Sequence, residues 1–403
     1  RGGLPLLFAA AAVLAGSARG GSPAPQGRER IPRNDPRTDP YTKGTPEAQR
    51  AAGIVSLGGF EFALTDTAGI DAFLAAADIR WIETAHFEIG MGLGAYKVPE
   101  KEAKAIRAEL EALAAVLPGV DPTAKLIDPW LRAHLYAQRA ERAYARFVEI
   151  FGLGDTQFPD AQHPWMIDTP YLGEGPHLGQ KGKFEVLLLP SEAWHSDFLH
   201  EQFGLQREQS QRWNIIERDS LLVAIHTKQG DLRSDVACHC HLVFNLAHLM
   251  LDGYKHYSYD TPFWLLEGLG HFMEREIDPT HNTFDAAEGS LAVESRKSNW
   301  DAEAAKLVRS GEAPSIAELV QLKSYADFEM RHHVVAWSMT KYLIEERRAG
   351  YTAVTAALHG RKNAEGFPDG SDLPGVLRAA VREHLGQTYA ELEAAWTEWA
   401  RKR

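Results

Sequence analysis

The stretch from Cys238 to Asp252, CHCHLVFNLAHLMLD, constrains the fold more than any other part of the chain. Leu242, Val243, Leu246, Leu249 and Met250 recur at three- and four-residue steps, which is the pattern of a helix that buries one side. At about 100° per residue, Cys238, His241, Asn245, His248 and Asp252 fall on a separate polar stripe. Gly253 breaks the pattern, and a second apolar helix restarts after Pro262 as FWLLEGLGHFME, with Glu267 and His271 one turn apart. Two helices this apolar need other layers to cover them.

The remaining segments supply those layers. Strands are expected over Arg80–Gly90, Lys183–Pro190 and Ser220–Thr227, where β-branched, aromatic or leucine residues run together. Helices are expected over Glu100–Leu117, Trp130–Phe151, Val334–Glu346, Leu373–Leu385 and Thr388–Lys402. A few strands followed by many helices is an α+β pattern, a small N-terminal mixed sheet and then a mainly helical C-terminal half. With 44% hydrophobic residues among 403, the chain can bury a sizeable core.

Residues 1–18 place an arginine before the apolar run Leu4–Leu14 and then small residues, the pattern of a secretory signal and too short to span a bilayer. Residues 19–50 are rich in Pro, Gly, Arg and Asp and read as a disordered linker. Order is expected from 51 to 403, as an α+β part to residue 235 and a helical part from 236. The expected location is exported, periplasmic or extracellular, with no transmembrane span. A formal net charge of −12 argues against nucleic acid as a partner. Cys238 and Cys240 stand too close together for an ordinary disulfide with each other.

The two helices carry a familiar kind of chemistry with parts exchanged. Zinc hydrolysis uses two histidines one helical turn apart, a glutamate after the first as base, and a third ligand from elsewhere. WLLEGLG (Trp264–Gly270) resembles the third-ligand element of the gluzincin peptidases, and eighteen residues lie between His248 and Glu267, a separation several gluzincin families use. ETAHFEI, AWSMTKYLIEE and HLGQTYAELEAAWTEWARK resemble further elements of bacterial peptidase MA-like domains, in order, over roughly Ala51 to Arg403. The resemblance implies a zincin-like fold.

Carried over residue by residue, the resemblance gives His248 and Glu267 as residual metal ligands. The lost ligand position is Phe244, and the general-base position is Asn245, whose amide takes no proton from water at neutral pH. Where several gluzincins have a carboxylate that orients the first histidine, this chain has His271. His271 is a candidate third ligand beside His248 and Glu267. His241, His332 and His333 are expected to line the cleft. No catalytic residue and no cofactor are expected, with zinc held only at low occupancy or through a rearranged site.

The expected function is that of a catalytically inactive gluzincin-like homologue whose cleft binds a peptide or another protein. SLLVAIHT is expected as the edge strand on which an extended peptide would pair. One alternative is an active metallohydrolase using His248, Glu267 and His271, with Glu274 or another carboxylate as base. Another is a purely structural envelope protein, expected if Phe244 and Trp264 fill the cleft.

Overall fold

Five strands pair into one central sheet in the order β1 (Arg80–Glu83), β2 (Phe87–Met91), β3 (Phe184–Leu189), β5 (Ser220–His226), β4 (Gln211–Ile215). The pairs β2–β3 and β3–β5 are parallel, whereas β1–β2 and β4–β5 are antiparallel, so the sheet is mixed. The computed structural model describes residues 38–155, 182–215, 218, 220–255, 261–284, 299–322, 324–366 and 369–403. Asp39–Arg403 form one unit.

Both faces of the inner strands are covered, which is why FEVLLL and SLLVAIH read as continuous apolar runs. Side chains alternate between the faces. Ile89, Val186, Leu188, Val223 and Ile225 meet the helical layer, while Leu187, Leu189, Leu222 and Ala224 meet Ile70, Phe198 and Leu199.

The longer helices are α1 (Ala103–Ala114), α2 (Pro129–Phe151), α3 (Glu192–Phe203), α4 (Asp235–Asp252), α5 (Phe263–Arg275), α6 (Trp300–Ser310), α7 (Met330–Leu358), α8 (Leu373–Leu385) and α9 (Tyr389–Ala400). Local chemistry sets their ends. Asp128 caps α2, accepting from the Trp130 and Leu131 amides, and Gly152 closes it with φ 66°. Thr388 and Glu391 form a reciprocal capping box on α9. The α+β expectation holds. No helix among the described residues is long and apolar enough to cross a membrane.

Three local expectations need correction. Arg80–Gly90 is not one strand but the hairpin β1–β2. The Thr84 amide donates to the Phe87 carbonyl at 2.8 Å, which reverses the chain between them. SLLVAIH is not an edge strand, because it lies inside the sheet between β3 and β4. The outer strand on that side is the more polar QRWNI.

The expected linker is also ordered over its described end. Asp39 is buried, accepts from the Thr42 hydroxyl and faces His134 Nε2 at 3.0 Å, and Pro46–Ala51 is a short helix. Polar capping of this kind lets a segment poor in apolar residues stay in place. The signal-like segment lies outside the described residues.

A buried ionic knot fixes α4 on α2. Asp235 opens α4 with no exposed surface, and its Oδ2 is 2.6 Å from Arg139 Nη1 while Oδ1 is 3.3 Å from Arg132 Nη2. The Tyr136 hydroxyl donates to Oδ1 at 3.1 Å. Arg139 also makes a two-pronged contact with Glu109 of α1, at 3.0 and 2.7 Å.

Candidate metal centre

Three helices bring the candidate residues together: α4 carries His248, α5 carries Glu267, His271 and Glu274, and α7 carries His333. Glycines set how closely they approach. A Cβ on Gly268 would collide with Thr340 Oγ1 and stand 2.8 Å from the Ala336 carbonyl oxygen on α7. A Cβ on Gly270 would stand 2.8 Å from the Phe244 ring and 2.9 Å from His248 Nε2 on α4. The alternating glycines of EGLGH therefore let α5 sit tightly between both partners. Gly270→Ala should lower stability by about 1–3 kcal/mol through overpacking against a ring with no room to move. Denaturant unfolding checks it, and an unchanged midpoint would show that the contact is soft.

The Glu267 carboxylate lies at the middle. Its Oε2 is 3.3 Å from His333 Nδ1 and 3.5 Å from His271 Nε2, while its Oε1 is 3.6 Å from His248 Nε2. His271 Nε2 and His333 Nδ1 are 2.9 Å apart. Glu267, His271 and His333 each offer one ligand atom within 4.8 Å of the other two.

The group is closed off from solvent. His248 is 1% exposed, and Glu267, His271 and His333 are 0% exposed. Phe244, also without exposed surface, packs its ring 4.4 Å from that of His248 and 5.1 Å from that of His271. Phe284, Phe328 and Trp300 enclose the other side, at 4.9 and 4.6 Å from the His333 ring and 5.0 Å from the His271 ring respectively.

Burial, with His333 and Arg275 adding to it, holds His271 well below the usual imidazole range. Burial, followed by Arg212 and His333, does the same for His248. Both rings are therefore neutral, the form that offers a lone pair to a metal.

Behind the group lies a support. His271 Nδ1 is hydrogen-bonded to Glu274 Oε1 at 2.6 Å. The Thr283 amide donates to both Glu274 oxygens at 3.1 Å, and its hydroxyl donates to Oε2 at 2.7 Å. Burial pushes Glu274 well above the usual carboxylate range, and the Thr283 bonds oppose that push. The contact holds the His271 ring with Nε2 facing Glu267 at 3.5 Å.

The other expected residues are placed as follows. Asn245 is committed to structure: its Oδ1 accepts from Arg212 Nη1 of β4 at 2.8 Å, and its amide nitrogen donates to the His241 carbonyl at 2.8 Å. His241 is hydrogen-bonded through Nε2 to Ser210 Oγ at 2.9 Å, away from Glu267. His332 serves the N-terminus of α7, where its Nδ1 accepts from the Glu329 amide at 2.8 Å, and its Nε2 is 3.3 Å from Glu318.

His241, His332 and His333, expected as cleft walls, are all buried. Glu274, considered as a base, holds His271 instead. Cys238 and Cys240 fall on different sides of α4 and are both free, and burial pushes the Cys238 thiol up to about 11.

His333 is the residue whose closeness to Glu267 sequence reasoning does not reveal. Its signal is the histidine doublet just before the Ala-Trp-Ser helix, which gives no distance to Glu267. No protein-family model, no curated protein and no solved structure matches this chain.

Proposed function

We propose that the chain is a non-hydrolysing relative of the gluzincin peptidases, exported to the periplasm or extracellular space, that holds an extended peptide or a partner protein without cutting it. The observation that carries this reading is the fate of the base and first-ligand positions. Asn245 is bound on both sides by Arg212 and the His241 carbonyl, and Phe244 fills the space beside His248. A zinc hydrolase keeps an open position for water and a base next to it. Glu267 and the histidines around it are almost wholly buried, so no scissile carbonyl reaches them.

The closed interior moves the expected peptide contact to the sheet edge. β4 is the outer strand beside α4, it is half-buried, and Trp213 on it is 36% exposed with its ring 5.1 Å from Phe203. An edge strand of this kind supports strand addition by an extended peptide.

The test is incubation of the zinc-supplemented protein with a peptide library, followed by mass spectrometry and by fluorescence polarisation of the same peptides. Expected are intact peptides and saturable binding that Trp213→Ala weakens. Chelator-sensitive cleavage lost in His248→Ala would overturn the proposal in favour of a live hydrolase. Intact peptides that never bind would overturn it in favour of a purely structural protein.

A further inference from the structure

We infer that Glu267, His271 and His333 together bind one divalent transition-metal ion of the zinc type, held in the closed interior as a structural ion. The site shares Glu267 with the peptidase arrangement but uses neither of that arrangement's histidine positions on α4, Phe244 and His248.

The spacing of the ligand atoms is the first ground. Around a tetrahedral zinc with bonds of about 2.0–2.1 Å, neighbouring ligand atoms lie about 3.3–3.4 Å apart. Glu267 Oε2 stands 3.3 Å from His333 Nδ1 and 3.5 Å from His271 Nε2. The third edge, between the two ring nitrogens, is 2.9 Å and is bridged by one proton. A cation takes that proton's place with a widening of about 0.4–0.5 Å, within the reach of small imidazole rotations.

The donor set is the second ground. Two imidazoles and one carboxylate suit a borderline divalent ion such as zinc. Glu267 has no exposed surface and is enclosed by a shell rich in aromatic rings, where an ionised carboxylate is stable when a cation faces it.

The support behind His271 is the third ground. Ligating histidines usually donate their other ring nitrogen to a carboxylate, and Glu274, itself fixed by two Thr283 donors, is such a partner. A polar residue that merely filled a core would not need this chain of orientation.

His248 takes a different part. It faces the second carboxylate oxygen, Oε1, at 3.6 Å and lies outside the group of mutually close ligand atoms. It packs beside Glu267 and is not a ligand of the proposed ion. Because the site is enclosed, the ion enters as the chain folds, and its binding energy becomes folding energy.

The test reads metal and not activity, so it fails or succeeds separately from the peptide experiments. The full-length protein is unfolded in denaturant with chelator, refolded by dialysis with and without zinc, and bound metal is measured by elemental analysis after further dialysis. About one ion per chain is expected, together with a rise in Tm that a chelator reverses.

His333→Ala and His271→Ala should each lose the ion, while His332→Ala and His241→Ala should keep it. Circular dichroism confirms that each variant is folded. Glu274→Gln provides a milder probe and should weaken zinc binding about 10–100-fold. Failure of the unsubstituted protein to take up zinc or shift in Tm would overturn the inference. Full zinc binding by folded His333→Ala with loss in His248→Ala would also overturn it, and would return the ion to the peptidase-type ligands.

Discussion

Asp235→Ala should destabilise the protein by about 3–5 kcal/mol, because it removes the anion from a buried cluster and leaves Arg132 and Arg139 facing each other without it. Both arginines are buried, so water cannot take over the lost contacts. The expected loss includes the Tyr136 hydroxyl bond and the grip of α2 on the first turn of α4. Denaturant unfolding at neutral pH measures it. A loss below about 1 kcal/mol, the range of surface pairs, would show that the knot is dispensable.

The same group gives a pH signature. Burial alone would raise the Asp235 pKa, but Arg139 and then Arg132 outweigh it and hold the folded value below the ordinary aspartate range. A carboxylate with a depressed folded pKa contributes stability in full above its unfolded pKa and loses it as pH falls through the folded value. The gap in stability between the parent and Asp235→Asn should therefore be widest above about pH 4 and narrow as acid is added. A gap that widened on acidification would contradict the sign.

Elements with strong local periodicity are legible in the sequence itself. LPGVLRAAVREHL is α8 to the residue, and the helix expected over Trp130–Phe151 begins only one residue earlier. QRWNI gives no strand signal, because an edge strand needs no continuous apolar run and its polar side chains serve Asn245 and solvent. The hairpin at Thr84 is hidden because the turn uses a threonine side chain and no glycine or proline.

The candidate site divides in the same way. His248, Glu267 and His271 sit on two neighbouring helices where helical spacing predicts their faces. His333 lies 62 residues beyond His271, and only the packing of α7 on α5 brings them together. Whether the site is open or closed is likewise invisible in the sequence. It depends on helix separation, and Gly268 and Gly270 set that separation through contacts with α7 and α4.

Closure also gives Phe244, Asn245 and His271 a shared physical sense. Phe244 fills the space beside His248 and His271, and Asn245 satisfies the β4 arginine without bringing a second buried charge. In the proposed ion site His271 supplies a ligand beside Glu267. Position 271 turns the centre away from the sheet edge and toward α6 and α7, where Phe284, Trp300 and Phe328 cover it.

Trp300 is the keystone of that cover, so Trp300→Ala should cost about 3–5 kcal/mol, in the range of large-to-small core substitutions. The side chain has no exposed surface. Its ring stacks under Arg275 at 4.1 Å, meets the His271 ring at 5.0 Å and the Trp337 ring at 5.7 Å. Removing it deprives the buried Arg275 of the nearer of its two cation–π partners, Trp337 being the other at 5.0 Å, and opens space next to His271. Two readouts follow. Stability should fall, and zinc affinity of the folded variant should fall with it, because His271 loses one wall of its cage. Trp300→Phe should recover most of both. Full zinc affinity in a destabilised Trp300→Ala protein would show that Glu274 and Thr283 alone hold His271 in place, and that the aromatic cover contributes only to packing.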